Sequence, residues 1–99
     1  MTSYRLSRLA DIDLESIAEY GIERFGVDQA YSYYQGLVDQ LRQLAESPLM
    51  YPAVDDIRPG YRRCVYEAHS VYYMLGEEEV LVIRILGMQD IDQSLPDAE

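Results

Sequence analysis

The hydrophobic pattern changes period twice along the chain. Tyr4-Arg5-Leu6-Ser7 roughly alternates, which predicts a first strand at about residues 3–8. Leu14, Ile17, Ala18, Gly21 and Phe25 then recur at helical spacing, with Glu15, Glu19 and Glu23 on the wet side. Asp11 and Asp13 are read near this helix's amino terminus, where the macrodipole favours negative charge. Gly26 supplies its end. A second helix, about 28–46, carries Ala30, Tyr33, Tyr34, Leu37, Leu41, Leu44 and Ala45 on one face, with Asp28 as cap or first-turn acid. It stops at Ser47-Pro48, because the residue before proline avoids the helical region. The short Gly26-Val27 link predicts an antiparallel helical hairpin.

Pro48, Pro52 and Pro59 mark a surface loop before Tyr61, with room for one helical turn at Val54–Ile57. Three strands follow, at 61–67, 69–75 and 79–86, joined by turns too short for anything but antiparallel hairpins. Val80 to Leu86 is apolar almost without alternation, which predicts a central strand covered on both faces. Residues 89–99 read as a polar, acidic tail. The expected fold is therefore α+β in two layers: an amino-terminal strand and a helical hairpin packed on an antiparallel meander, one domain over 1–99. The amino-terminal strand joins the meander at an edge or pairs with the apolar last strand; the pattern leaves both open.

Composition narrows the function. No apolar run approaches the ~20 residues that span a bilayer. Met1–Arg8 has no signal-peptide core, so a cytoplasmic protein with no membrane partner is expected. The lone Cys64 excludes an intrachain disulfide and a cysteine-rich zinc site, and the lone His69 further weakens a metal reading, so no metal is expected. Eight basic residues, all arginine, face 18 acidic ones, for a net charge of -10. Such a chain is repelled on average by nucleic acid, so no direct nucleic-acid partner is expected.

Several segments together carry a family resemblance. They are Ala10-x-x-Asp13-Leu14-x-x-Ile17-x-x-Tyr20, Phe25-Gly26-x-x-Gln29-Ala30-x-x-Tyr33, Leu41-x-x-Leu44-Ala45-x-Ser47-Pro48, Asp55-Asp56-Ile57-Arg58-Pro59-Gly60-Tyr61-Arg62-Arg63, His69-x-Val71-Tyr72-Tyr73 and Val82-Ile83-Arg84-Ile85-Leu86-Gly87 followed by Gln89-Asp90. In this order and spacing the chain resembles the RelE/ParE toxin superfamily, and within it the ParE branch. The resemblance implies the toxin of a type II toxin–antitoxin pair that inhibits DNA gyrase by binding. It further implies neutralisation by a ParD-like antitoxin, in a heterotetramer or larger complex. The RelE branch instead cuts messenger RNA on the ribosome. A third reading, allowed by the acidic tail, is a homologue that keeps antitoxin binding without toxicity.

A ribonuclease needs an acid, a base and cations for the pentavalent phosphate. In the RelE branch the acid or base stands near the end of the last strand, where this chain has Leu86-Gly87-Met88. No catalytic residue and no cofactor are therefore expected. His69 is read as a structural hydrogen-bonder to the adjacent turn, with chemistry as the alternative. Arg58, Arg62, Arg63 and Arg84 form either a carboxylate receptor or a set of surface ion pairs with Asp55, Asp56, Glu67 and Glu77–Glu79. Arg84, inside an apolar strand, is expected to have a specific partner. Tyr72 and Tyr73 point to opposite faces, one under the helices and the other on an open face. Tyr20, Tyr31, Tyr33 and Tyr34 are read as core or helix-edge residues, and Cys64 as a small core hydrophobe. The residues expected to meet a partner or target are Arg58, Tyr61, Arg62, Arg63, His69, Tyr72, Arg84, Met88, Gln89 and Asp90.

Overall fold

A computed structural model describes residues 3–87; the acidic tail, with Met88, Gln89 and Asp90, lies outside the described residues. The elements are β1 (Tyr4–Leu6), α1 (Arg8–Phe25), α2 (Val27–Glu46), β2 (Arg62–Tyr66), β3 (His69–Leu75) and β4 (Val80–Leu86). The α+β reading and the order of elements hold. The four strands form one sheet in the order β1-β4-β3-β2. β2, β3 and β4 make the expected antiparallel meander, and β1 adds to β4 in parallel, so the sheet is mixed. Both options left open for β1 are realised at once: it is an edge strand, and its neighbour is the apolar last strand.

The amino-terminal boundary differs from expectation. β1 stops at Leu6 because Ser7 caps α1, its Oγ accepting the Ala10 N–H at 3.0 Å. The helix thus begins one turn earlier than Asp11 suggests, and Asp13 falls in its second turn. Gly26, at φ 89°, turns the chain between the helices in a backbone region that side chains rarely tolerate. Gly21 lets the helices close, since a Cβ there would meet the Ala30 Cβ at 3.1 Å.

The sheet is buried on both faces. Leu14, Leu37, Leu41, Leu44, Val71, Tyr73, Val82 and Ile85 form the core under the helices, joined by Cys64. On the other face, Tyr61, Tyr72, Ile83 and Leu86 pack beneath Val54 and Ile57 of the loop. That loop is tied down by Val54 N–H to Tyr61 O at 2.8 Å and Arg63 N–H to Pro52 O at 3.1 Å. Its helical turn forms as expected, with the Ile57 and Arg58 N–H groups both on Val54 O. The face expected to be open is therefore covered, and Tyr72 is as fully buried as Tyr73. Tyr73 meets its polar requirement by donating to Pro48 O at 2.6 Å.

A bulge separates the two tyrosines. The register passes from Tyr72↔Arg84 to Tyr73↔Val82, leaving Ile83 extra on β4. After it, Ile85 rather than Leu86 joins Val82 in the helix-side core.

Candidate functional site

The site begins where β1 runs out. β1 pairs with β4 only as far as Leu6↔Val82, and beyond that α1 supplies the missing neighbour. The Ser7 N–H donates to Val82 O at 2.8 Å, and its hydroxyl donates to Ile83 O at 2.7 Å. Two helical turns later, Asp13 Oδ2 accepts the Ile85 N–H at 2.9 Å and the Arg84 Nε–H at 2.8 Å. Asp13 Oδ1 accepts the Arg84 Nη2–H at 2.9 Å, completing a two-pronged carboxylate–guanidinium pair. Both side chains are largely removed from water, at 16% exposure for Arg84 and 13% for Asp13. The Asp13 hydrogen bond raises the Arg84 pKa from an already high value, against the opposing pull of burial.

Beside this pair opens a groove of about 940 Å³ between the helical hairpin and the β2–β3 turn. Its walls include Ile17, Tyr20, Gly21, Phe25, Tyr33 and His69, with Asp13 and Glu67 supplying carboxylates. The Tyr33 hydroxyl lies 2.7 Å from His69 Nδ1 and 3.4 Å from Tyr66 O. The three rings stack edge to face, with centroids 5.3 Å apart for Tyr33–Tyr66 and 5.6 Å for Tyr33–His69. Burial pushes the His69 pKa below its usual value, although the charge of Asp13 acts the other way. Burial also raises the Tyr33 phenol, opposed by a backbone hydrogen bond from Ala68. Burial thus favours the neutral imidazole, and the partner of His69 is a helix side chain rather than the turn.

The expected site residues separate into three groups. His69 and the Asp13 partner of Arg84 both line the groove. Arg58, Arg62 and Arg63 lie on the loop and β2, with β3 between them and Arg84. Arg62 Nη1 donates to Tyr51 O at 2.6 Å, and Arg58 Nη1 donates to Ile57 O at 2.8 Å. Tyr61 and Tyr72, at 1% and 0% exposure, are inside the loop-side core and offer no surface to a partner. Of the acidic residues expected to pair with these arginines, Asp55 instead accepts the Gly60 N–H at 2.8 Å. Glu79 does pair, with Arg5 at 2.9 Å in an exposed bridge.

Asp13, Tyr33 and the groove were missed as site features. The signal for Asp13 was Ser7, a capping residue three positions before Ala10, which moves the helix start and turns Asp13 toward β4. Tyr20 and Tyr31, read as core or helix-edge residues, stand at the surface, at 61% and 64% exposure. Among the described residues no group of three or more His, Cys, Asp or Glu side chains could hold a metal ion, and no helix is long and apolar enough to cross a membrane.

Comparison with known proteins agrees with this architecture. The family model described as the ParE toxin of the type II toxin–antitoxin system parDE matches residues 4–91. Toxin ParE1 of Caulobacter vibrioides is 42% identical over 86 residues, covering 87% of this chain and 88% of the relative. Toxin ParE1 of Mycobacterium tuberculosis is 37% identical over 94 residues, covering 93% and 96%. A chain in the solved chromosomal ParDE toxin–antitoxin system of P. aeruginosa superposes with a TM-score of 0.79 at 23% identity, covering 90% of this chain and 98% of that one. That likeness is one of fold. Strand, helical hairpin and meander in this arrangement are the scaffold of a small toxin of the type II toxin–antitoxin class. Within that class the chain belongs to the ParE toxin family.

Proposed function

We propose that this ParE-family toxin acts in the cytoplasm by binding DNA gyrase, with no catalytic step of its own. A ParD-like antitoxin encoded beside it neutralises it in a heterotetramer or larger complex. The observation that carries the binding reading is the state of the two groups a nuclease would most need. The Arg84 guanidinium is locked on Asp13, and the His69 imidazole is hydrogen-bonded to Tyr33 with its pKa lowered by burial. The guanidinium is thus committed to a carboxylate rather than to a phosphorane, and burial biases the imidazole toward its neutral form. Arg58, Arg62 and Arg63, with Met88, Gln89 and Asp90 after β4, are the proposed contacts to target or antitoxin. Net charge -10 makes a protein target the natural one, because DNA would be repelled.

Induced expression, read by plasmid topology and by translation in the same cells, tests this. The expected result is altered supercoiling with translation initially intact, reproduced with purified gyrase. Codon-dependent messenger cleavage that disappears in His69→Ala would overturn the reading in favour of a ribonuclease. Antitoxin binding without any effect on topology would show a homologue that has lost toxicity.

A further inference from the structure

The groove of about 940 Å³ beside His69 has the size of a small-molecule site, and its walls are one-sided in charge. Asp13 and Glu67 line it, none of the eight arginines does, and the chain has no lysine. Asp13 is already committed to Arg84 and the Ile85 N–H. Glu67 is exposed, and among the described residues it takes part in no ion pair. Burial dominates the titration of the two rings between these carboxylates. Even so, the charge of Asp13 favours the His69 imidazolium, and that of Glu67 opposes the Tyr33 phenolate. The α1 wall is aromatic and wet: Tyr20 and Phe25 line the groove at 61% and 54% exposure. Glu67 also holds its place at a conformational cost. Its φ of 50° is the one positive value at a non-glycine position among the described residues, in a two-residue turn where glycine would be unstrained. Strain of this kind, about 1–3 kcal/mol, gathers where a side chain has a task.

We infer that this groove binds a small aromatic monoamine, with its ammonium on the Glu67 carboxylate and its ring against the faces of Tyr20, Phe25 and Tyr33. Neither gyrase nor antitoxin is needed for it. A cation beside aromatic faces gains from their quadrupoles as well as from the carboxylate, and the apolar lining covers its ring. One uncommitted carboxylate sets the ligand's charge at a single positive unit. A neutral ring of the same shape gains only the burial of apolar area. An anion meets Glu67 and Asp13 with no arginine on the walls to answer it. An aliphatic polyamine brings more charge than the walls match and no ring for the aromatic faces. Burial biases His69 toward its neutral form, so it adds little opposing charge. Its 2.7 Å hydrogen bond to the Tyr33 hydroxyl fixes both rings before any ligand arrives.

The test titrates the full chain with tryptamine, tryptophol and indole-3-propionate, followed by calorimetry and backbone-amide NMR shifts. The three probes share an indole ring and are cationic, neutral and anionic in turn. Tryptamine is expected to bind, with shifts centred on Glu67, Ala68 and His69, and the other two about tenfold more weakly or worse. Glu67→Gly removes the carboxylate and relieves the turn, so the variant folds. In it, tryptamine should bind about tenfold more weakly and lose its advantage over tryptophol. Phe25→Ser, at a position more than half exposed, should weaken tryptamine without unfolding the chain. Glu23→Gln changes the net charge by the same unit outside the groove and should leave tryptamine binding unchanged. Equal affinity for the three probes overturns the inference, as does no binding of tryptamine at millimolar concentration. Equal losses in Glu67→Gly and Glu23→Gln also overturn it, because the overall negative charge alone would then attract the amine. None of these outcomes touches the gyrase reading, which plasmid topology decides separately.

Discussion

Asp13 and Arg84 stand 71 positions apart in sequence and share two hydrogen bonds, of 2.8 and 2.9 Å, with a third from Asp13 to the Ile85 N–H. One carboxylate therefore joins the second turn of α1 to the end of β4, where no strand is available to do so. Removing it leaves a largely buried guanidinium and a backbone donor without this acceptor. Asp13→Ala should cost about 2–4 kcal/mol of stability, and Asp13→Asn less, since its oxygen still accepts from Ile85. Urea unfolding measures both; a loss under about 0.5 kcal/mol for Asp13→Ala would mean the pair is only decorative.

The same pair changes what the arginines should do. Arg84→Ala should lower stability, with any loss of partner binding following the unfolded fraction. Arg63→Ala should stay within about 0.5 kcal/mol of wild-type stability and still weaken antitoxin or gyrase binding. Melting curves beside titrations separate the two, and normal binding by folded Arg63→Ala would remove β2 from the interface.

His69 sets a pH dependence of known sign. Its folded pKa is depressed below the ordinary 6.5 by burial. The unfolded chain therefore takes up this proton first as pH falls, and stability drops from about pH 6.5 downward through the folded value. His69→Gln, which can still accept from Tyr33, should flatten the slope between about pH 6.5 and 5, above the carboxylate range. Chemical denaturation across that interval checks it; an unchanged slope would mean His69 titrates alike in both states.

Gly36 should tolerate no side chain. A Cβ there would overlap the Tyr66 hydroxyl, whose ring is held against Tyr33 with centroids 5.3 Å apart. Gly36→Ala gains about 1 kcal/mol of helix propensity and should lose more than that to overpacking. In a Tyr66→Phe background the cost should shrink, and a double-mutant cycle reads the difference. Equal costs in both backgrounds would place the clash elsewhere.

What the sequence made legible was local. Helix periodicity, the Gly26 break, the Pro48 stop and the two tight turns each rest on neighbouring residues, and they gave the elements within a few positions. The β1–β4 pairing was not legible, because a three-residue strand carries little pattern and its partner lies far down the chain. Asp13 was misread because a carboxylate near a helix start has a ready local explanation, and the real one needed the position of β4. Tyr72 was misplaced because prolines made residues 49–60 look like a surface loop, although Val54 and Ile57 in it are three apart and apolar. Tyr20 and Tyr31 lie on a helical phase that points to an apolar face. Yet α1 buries fully only Ala10 and Leu14, both in its first half, so phase alone did not imply cover.

The parallel junction of β1 with β4 also orders events during synthesis. Both helices leave the ribosome well before Val80, so the hairpin can assemble while the chain is still being made. Tyr4 to Leu6 must wait, because the strand they join is translated more than seventy codons later. Asp13 likewise has no guanidinium to hold until Arg84 emerges. A polypeptide cut short by a stalled ribosome before β4 would have its helices but neither an anchored first strand nor a complete sheet. The finished surface, with whatever toxicity it carries, belongs only to chains translated through the last strand.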